Sequence, residues 1–466
     1  MRTLFRDRED PLAGIAEKNG SALVVGLGAS GLSAANLLAR MGCRVVISEK
    51  GKREKTRVDL SLLEPGVQVH WGGHPWELFE KSDLVVVSPG VPSDLEPLVR
   101  SGLAGIPVIG EMELAFRLTA VPWVCVTGSN GKSTTVTLLD LMARRGGLKV
   151  ATGGNLGTPV TSFIGGTAGM DFVIAEVSSF QLETIETFHP AIAALLNLSP
   201  DHLDRYPGFE EYVAAKGRIF SRMEAEDLAV FNADDPGTVE LVSGVRAELF
   251  PFSRHHSPEK GAFLEDWRIK VREKGREREI IEKRSIALAG THNLENALAA
   301  VAMGWKMGID PDAMAEVLRT FHGLEHRMEL VGHFRGVPIY NDSKGTNVGA
   351  TLRSLEGLGE RVVLILGGKD KGTSYESLVE PIRRKVKLLV LLGEAADRME
   401  DAFRGTTKIL RVGSVDEAVK EAVQNARPGS EILFSPACSS FDMFSGFEER
   451  GLVFKNASRK YLEMTG

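Results

Sequence analysis

The sequence predicts an α/β protein of three modules built on mostly parallel sheets, and three observations carry that expectation. The chain has 466 residues, more than one hydrophobic core holds, and such a length suggests about three domains. Short, nearly continuous apolar runs recur along it, each followed by a glycine- or serine-bearing turn and a helical segment. Runs of that kind suit parallel strands covered on both faces. Finally, "GLGASG" and "VTGSNGKST" each follow an apolar run directly, and doubly wound sheets bind ligands at the carboxyl ends of their strands.

In the first module "ALVVGLG" predicts a strand, Ser30 to Met41 a helix, and "RVVISEK" and "LVVVSPG" two further strands, with an end near residues 110–120. The second opens on "WVCVTG" and a helix after Lys132, then continues with "DFVIAEVSS", "AIAALLNLSPDH" and "DLAVFNADD". Its charged stretch from Arg254 to Lys283 predicts hairpins or surface loops, and "THNLENALAAVAMGWKMG" an amphipathic helix. The third repeats the alternation with "VPIYNDSKGT", "RVVLILGGKDKG", "KLLVLLGEA", "KILRVGS" and "EILFSPACSS". The expected domains are 1–117, 118–323 and 324–466.

Bulk properties exclude several classes. Lys+Arg 56 against Asp+Glu 62 gives a net charge of −6, which offers no chain-wide basic face for nucleic acid. Cys43, Cys125 and Cys438 are far apart, without disulfide or zinc spacing; Cys43 and Cys125 fall in or next to apolar runs, where buried reduced thiols are expected. No run reaches ~18 apolar residues, and the first residues lack the apolar core of a signal peptide. A cytoplasmic protein with neither membrane nor nucleic-acid partner is expected.

The chemistry is sought at the strand ends. "VTGSNGKST" falls short of G-x-x-x-x-G-K-[ST], because Val126 occupies the first glycine's position and Gly128 comes two residues late. Gly128 and Gly131 still permit tight backbone, and Ser133-Thr134 begin a helix whose N-terminus attracts anions. Lys132 would then reach the β/γ-phosphates and the Ser133 hydroxyl would ligate Mg²⁺; the alternative is a structural turn. "GLGASG" matches G-x-G-x-x-G, with Glu49 ending the next strand as a ribose-binding acid. NAD(P), another nucleotide and plain strand–helix packing all remain open for it. Glu176 ends a buried strand as a metal ligand or a helix cap, and the next apolar run delivers Asp201, His202 and Asp204. Ser133, Glu176 and a further anion could hold one Mg²⁺, with His202 at a second ion or at substrate.

"TGSNGKST", "SSFQLE", "DHLDRY" and "HNLENALAA", in that order, resemble the Mur ligases, the ATP-dependent amino-acid-adding enzymes of peptidoglycan precursor synthesis. T-G-[ST]-N-G-K-[ST] is that family's own phosphate loop, so Val126 ceases to be a defect. "HRME", "NDSKGTN", "GGKDKG" and "SPACSSFDMFSGFEERG" look like the member that adds D-glutamate to UDP-N-acetylmuramoyl-L-alanine. The likeness runs essentially end to end. It implies a Rossmann-like N-terminal domain for the UDP-substrate, a central P-loop ATPase-like domain and a Rossmann-like C-terminal domain for the amino acid. It also implies ATP and Mg²⁺, small-molecule substrates only, and a monomer.

Residue by residue, the resemblance implies donor contacts at Ser30, Gly90 and Asn155, with the uracil contacts after "ISEKGK" uncertain. Gly128, Ser129, Asn130, Gly131, Lys132, Ser133 and Thr134 would cradle the ATP phosphates, while Asn296, Arg327 and Asp342 would hold adenine, phosphate and ribose. Lys132, Glu176, His202, Lys216 and Lys344 would form the catalytic set. Ser133, Glu176, His202 and a carbamylated Lys216 would bind metal, with His202 also able to touch substrate. Lys216 is the least expected, since an isolated helical lysine is ordinarily exposed. Thr346 and Lys371 would take the α-carboxylate of D-glutamate, and Ser440 and the Phe447 backbone its side-chain carboxylate. The alternatives are a Mur ligase with another acceptor, although no D-N-P-R stretch occurs, a folylpolyglutamate synthetase, an NAD(P) oxidoreductase and a non-catalytic binding module.

Overall fold

Every apolar run quoted above becomes a strand, because an apolar segment bounded by turn residues buries both its faces most economically in a parallel sheet. The structure is a computed structural model that describes residue 15 and residues 19–462, apart from 57, 156, 203, 204, 289 and 371. Its strands fall into three sheets.

In the first sheet Ser21–Val25 lies between Arg44–Glu49 and Leu84–Val87, with Gln68–Trp71 and Val108–Gly110 at the edges, all parallel. The strand order reverses between Ser21–Val25 and Leu84–Val87, and a crevice at such a point binds ligands. The helix expected over Ser30–Met41 forms over Ala29–Arg40.

The second sheet has nine strands. Trp123–Thr127 sits between Phe172–Glu176 and Ile192–Leu195, with Val150–Gly154 beyond the former. On the other side follow Leu228–Asn232 and Glu248–Ser253. The charged stretch expected as hairpins or loops extends this sheet as Gly261–Glu265, Arg268–Glu273 and Arg276–Glu282, the last two pairings antiparallel. The Ala-rich helix Thr291–Lys306 packs on the sheet and buries eleven of its residues.

The third sheet runs Glu329–Phe334, Val337–Asn341, Glu431–Phe434, Val362–Gly367, Val386–Leu392, Lys408–Arg411. Only its first pairing is antiparallel. Helices cover both faces, giving two separate apolar cores.

The cores of the first two sheets are continuous. The helix Glu111–Arg117 joins them with all seven residues buried, and Phe116, Trp123 and Phe188 meet edge to face with centroids 5.2–5.9 Å apart. The third sheet meets the second through polar groups that include Lys344 Nζ to Ser133 Oγ at 2.7 Å and Asn347 Nδ2 to Asp201 Oδ2 at 2.7 Å. All three cysteines are buried and free, in keeping with the burial expected of Cys43 and Cys125.

Candidate active site

Strand register explains the short phosphate loop. Val126 is fully buried and pairs with Glu176 on one side and Ala194 on the other. A glycine there would only lose packing, so the loop begins at Gly128. Gly128 (φ 147°) and Gly131 (φ 93°) adopt backbone that L-residues avoid, and a Cβ on Gly131 would lie 2.3 Å from Asn296 Oδ1. Asn197 pins the turn: its side chain accepts from Asn130 N and donates to Asn130 O, both at 2.9 Å, while its carbonyl accepts from Ser129 N at 3.0 Å. The helix Lys132–Arg145 then starts with no side-chain cap, which leaves its first N–H groups for an anion.

Cations crowd this turn. Lys132 Nζ donates to Gly128 O at 2.8 Å and Ser129 O at 3.0 Å. Lys216, on the helix Phe209–Gly217, donates to the same Gly128 O at 2.9 Å and is only 2% exposed. That overturns the default of a surface lysine. Burial first, and then the Lys132 charge, push the Lys216 ammonium well below its ordinary pKa.

The anionic counterpart is Glu176, 2% exposed. Burial alone would raise its carboxyl, but Lys132, Lys344, Asn155 and Ser133 outweigh it and hold the pKa low. Ser133 Oγ donates to one oxygen at 2.7 Å and Asn155 Nδ2 to the other at 2.8 Å. Lys344, across the boundary with the third sheet, bonds Ser133 Oγ, and burial brings its ammonium down to about 8. Ser133 and Glu176 thus place two oxygens side by side near the phosphate loop, which suits an ion that completes its shell with phosphate and water. Among the described residues no three His, Cys, Asp or Glu side chains gather as a metal site.

Three cavities organise the remaining candidates. One of about 990 Å³ follows the first sheet's crevice and is lined by the glycine turn, Ser30 and Gly90. A Cβ on Gly28 would meet no protein atom, whereas one on Gly31 would lie 2.0 Å from Gly26 O. The second glycine therefore leaves room for a ligand and the third serves packing. Glu49 reaches this cavity with both oxygens accepting backbone N–H groups, from Leu27 at 2.8 Å and Gly51 at 2.7 Å. A second cavity of about 760 Å³ brings together Lys132, Asn155, His202 and Lys216 with Thr346, Ser440 and Phe447. Gly90 and Asn155 belong to both cavities, which connects them. The third is a narrow cleft between the second and third sheets, where Asn130, Gly131, Asn296, Arg327, Asp342 and Lys344 converge.

His202 sits in left-handed backbone (φ 55°), its Nε2 3.6 Å from Asp201 Oδ2 and its ring edge-on to Phe180 at 4.7 Å. Thr134 is buried within the helix that follows the loop. The Asp342 carboxylate accepts from Met328 N, Ser354 Oγ and Ser435 Oγ. Lys371 and Asp204 lie outside the described residues. The sequence reading missed Asn197, which follows an apolar strand as "LLNLS" and so had a strand-end signal. It also missed His292, Arg353 and Lys369, which line the cavities, and Asn347 and Arg205. Arg205 donates to Pro89 O, Val91 O and Glu183. Both Asn347 and Arg205 stand inside quoted motifs, but nothing in their spacing reveals a partner more than a hundred residues away.

A cationic phosphate loop, a carboxylate locked beside it and a wall from a third sheet make a nucleotide-driven ligase site. The chain belongs to the Mur ligase family: models of the MurD-like N-terminal domain, the Mur ligase middle domain and the Mur ligase glutamate ligase domain match residues 20–110, 126–304 and 326–438. Curated relatives called UDP-N-acetylmuramoylalanine--D-glutamate ligase include one from Koribacter versatilis, 42% identical over 95% of this chain and 97% of its own. Another, from Syntrophotalea carbinolica, is 44% identical over 95% of this chain and 98% of its own. Two solved structures share the fold. A pseudomurein peptide ligase type C from Methanothermus fervidus has TM-score 0.60 and 19% identity over 96% of this chain and 100% of that one. A MurF ligase from Thermotoga maritima in complex with ADP has TM-score 0.60 and 15% identity over 96% of each chain.

Proposed function

We propose that this chain joins D-glutamate to the L-alanyl carboxylate of UDP-N-acetylmuramoyl-L-alanine, converting ATP to ADP and phosphate, in peptidoglycan precursor synthesis. The observation that carries the reading is the central cavity, which collects donor-side, phosphate-side and acceptor-side groups from three sheets. The expected domains 1–117, 118–323 and 324–466 divide the work into donor, ATP and amino-acid binding. No helix among the described residues is long and apolar enough to cross a membrane. On this reading the chain is also a cytoplasmic monomer acting on small molecules.

The uridine nucleotide lies along the glycine turn with Ser30 and Gly90 beside it, and its L-alanyl end enters the central cavity past Asn155. There the donor carboxylate attacks the γ-phosphorus of ATP, the bond to the β-bridging oxygen breaks, and an acyl phosphate and ADP result. Anion meets anion in that step, so fixed cations must neutralise both. Lys132 and Lys344 flank the phosphates; Asn296, Arg327 and Asp342 hold the rest of the nucleotide. Ser133, Glu176, His202 and a carbamylated Lys216 would hold Mg²⁺, which when bound would add charge neutralisation at the phosphates. D-Glutamate is held by Thr346 and Lys371 at one carboxylate and by Ser440 and the Phe447 backbone at the other. Its amine adds to the acyl carbon, and the tetrahedral intermediate collapses with loss of phosphate. Holding amine and acyl phosphate together supplies about 7–11 kcal/mol of effective-molarity advantage.

The test is phosphate release from ATP with UDP-N-acetylmuramoyl-L-alanine and a panel of D- and L-amino acids. Release that requires D-glutamate is expected. Release indifferent to the amino acid, or dependent on a different one, overturns the assignment of the acceptor.

A further inference from the structure

The most deeply buried cation of the third sheet takes no part in the mechanism above. Arg450, in the helix Phe447–Leu462, is 1% exposed. Its Nε donates to Ser343 Oγ at 3.0 Å, its Nη2 to Ser343 O at 2.7 Å, and its Nη1 to Cys438 O and Ser439 O, both at 3.1 Å. All four acceptors are neutral oxygens. Asp442 and Asp342 attract its charge from a distance, but no carboxylate among the described residues hydrogen-bonds it, and burying a guanidinium in that way is costly.

Its partners show what it holds. Ser343 directly precedes Lys344 and lies three residues before Thr346; Cys438 and Ser439 directly precede Ser440. A third segment closes on the same point, where a Cβ on Gly368 would lie 2.3 Å from Ser439 O and 2.9 Å from Arg450 Nη1. The next residue, Lys369, donates its backbone N–H to Ser439 O at 2.9 Å and lines the central cavity. Ser343 Oγ in turn donates to Phe447 O at 2.9 Å, at the start of the helix that carries Arg450. One planar fork thus ties "NDSKGTN" to "SPACSS", and Ser439 O ties "GGKDKG" to the same point; all three loops end on the cavity. A lysine at this position, with one point of charge, cannot span four acceptors.

We propose that Arg450 is a positioning residue that fixes the distance between the Thr346 and Ser440 carboxylate-binding groups, and so sets the length of dicarboxylic amino acid that the site accepts. The proposal rests on the acceptor reading given above. It acts through Ser343 and Ser439 and needs no contact with substrate.

The experiment compares wild type, Arg450→Lys and Ser343→Ala by KM for each of the three substrates. It also measures kcat/KM for D-glutamate against D-aspartate, which is one methylene shorter, and thermal unfolding. Ser343→Ala removes one acceptor and leaves the guanidinium in place, so it keeps the question answerable where Arg450→Lys fails to fold. In Arg450→Lys, KM for D-glutamate is expected to rise about tenfold or more, the scale of losing a group that orients binding residues. The preference for D-glutamate over D-aspartate falls, and KM for ATP and for the donor stays within about twofold. Ser343→Ala shifts the same two quantities by less. An unchanged D-glutamate KM and an unchanged preference in whichever variant folds overturn the proposal, even where the melting temperature drops. Failure of wild type itself to use D-glutamate would instead strike the acceptor reading, before any variant is compared.

Discussion

At the scale of single residues, the buried lysines carry the sharpest expectations. Lys132→Ala is expected to cost roughly 3 kcal/mol or more of transition-state stabilisation, the effect of losing one preorganised charge donor, with folding almost unchanged. Single-turnover rates and thermal melts check the two halves separately. Lys216 is buried and its ammonium is pushed well below its ordinary pKa; loss of that proton exposes the nitrogen lone pair that adds to CO₂, with release of a second proton, to leave an anionic carbamate. Lys216→Ala should therefore lose activity that acetate partly restores, and wild-type rates in that variant would refute the carbamate. Lys344, near 8, gives a pH dependence of known sign. Its charge is present below about 8 and lost above, so kcat/KM for ATP should fall on the alkaline side, and Lys344→Arg should remove that limb. Stability should respond in the opposite sense. An unfolded lysine keeps its proton to about 10.4, so the contribution of Lys344 to stability rises from about pH 8 to that value. A melting temperature that falls over this window in wild type but not in the arginine variant would contradict the assignment.

At the scale of elements, what the sequence disclosed follows from how local each signal was. Strands such as Trp123–Thr127 and Val362–Gly367 were legible because apolar runs between turn residues have few other stable fates. The charged strands Arg268–Glu273 and Arg276–Glu282 read only as hairpins or loops, because their outer faces are solvated and their pairing supplies the order. Lys216 is singled out only by the family resemblance, and its contact with Gly128 required the fold, since nothing on its own helix announces it. The loop residues of "TGSNGKST" were legible from glycine geometry, whereas Asn197 and Arg450 act through partners distant in sequence. The helix Glu111–Arg117 illustrates the same limit. Its Glu113 accepts five hydrogen bonds, from Glu186 N, Thr187 N, Thr187 Oγ1, Phe188 N and Arg117 Nε, and so fastens the first sheet to the second. Burial would raise its carboxyl, but those donors hold it low. Its contribution is complete above the unfolded carboxylate range and is lost as pH falls through the depressed folded value. Glu113→Gln is expected to destabilise by about 3 kcal/mol, measurable by urea unfolding at neutral pH, and a change near zero would show that the tether is dispensable.

At the scale of the whole molecule, the division of labour follows from what fills each boundary. The first two sheets share one apolar core and resist separation, while the third meets the second through side-chain hydrogen bonds that water can replace. That boundary is where Ser133 and Lys344 face each other and where Asn296, Arg327 and Asp342 line a narrow cleft; on the proposed function it is where the phosphate site and the acceptor wall meet the donor. On the proposed function, this junction activates a carboxylate by phosphorylation and then hands it to D-glutamate. The most direct test uses UDP-N-acetylmuramoyl-L-alanine labelled with oxygen-18 in its alanyl carboxylate, together with ATP and D-glutamate, and reads the released phosphate by mass. One heavy oxygen per phosphate is expected, since the attacking carboxylate oxygen leaves with phosphorus when the amine displaces it. Phosphate free of the label would contradict the account.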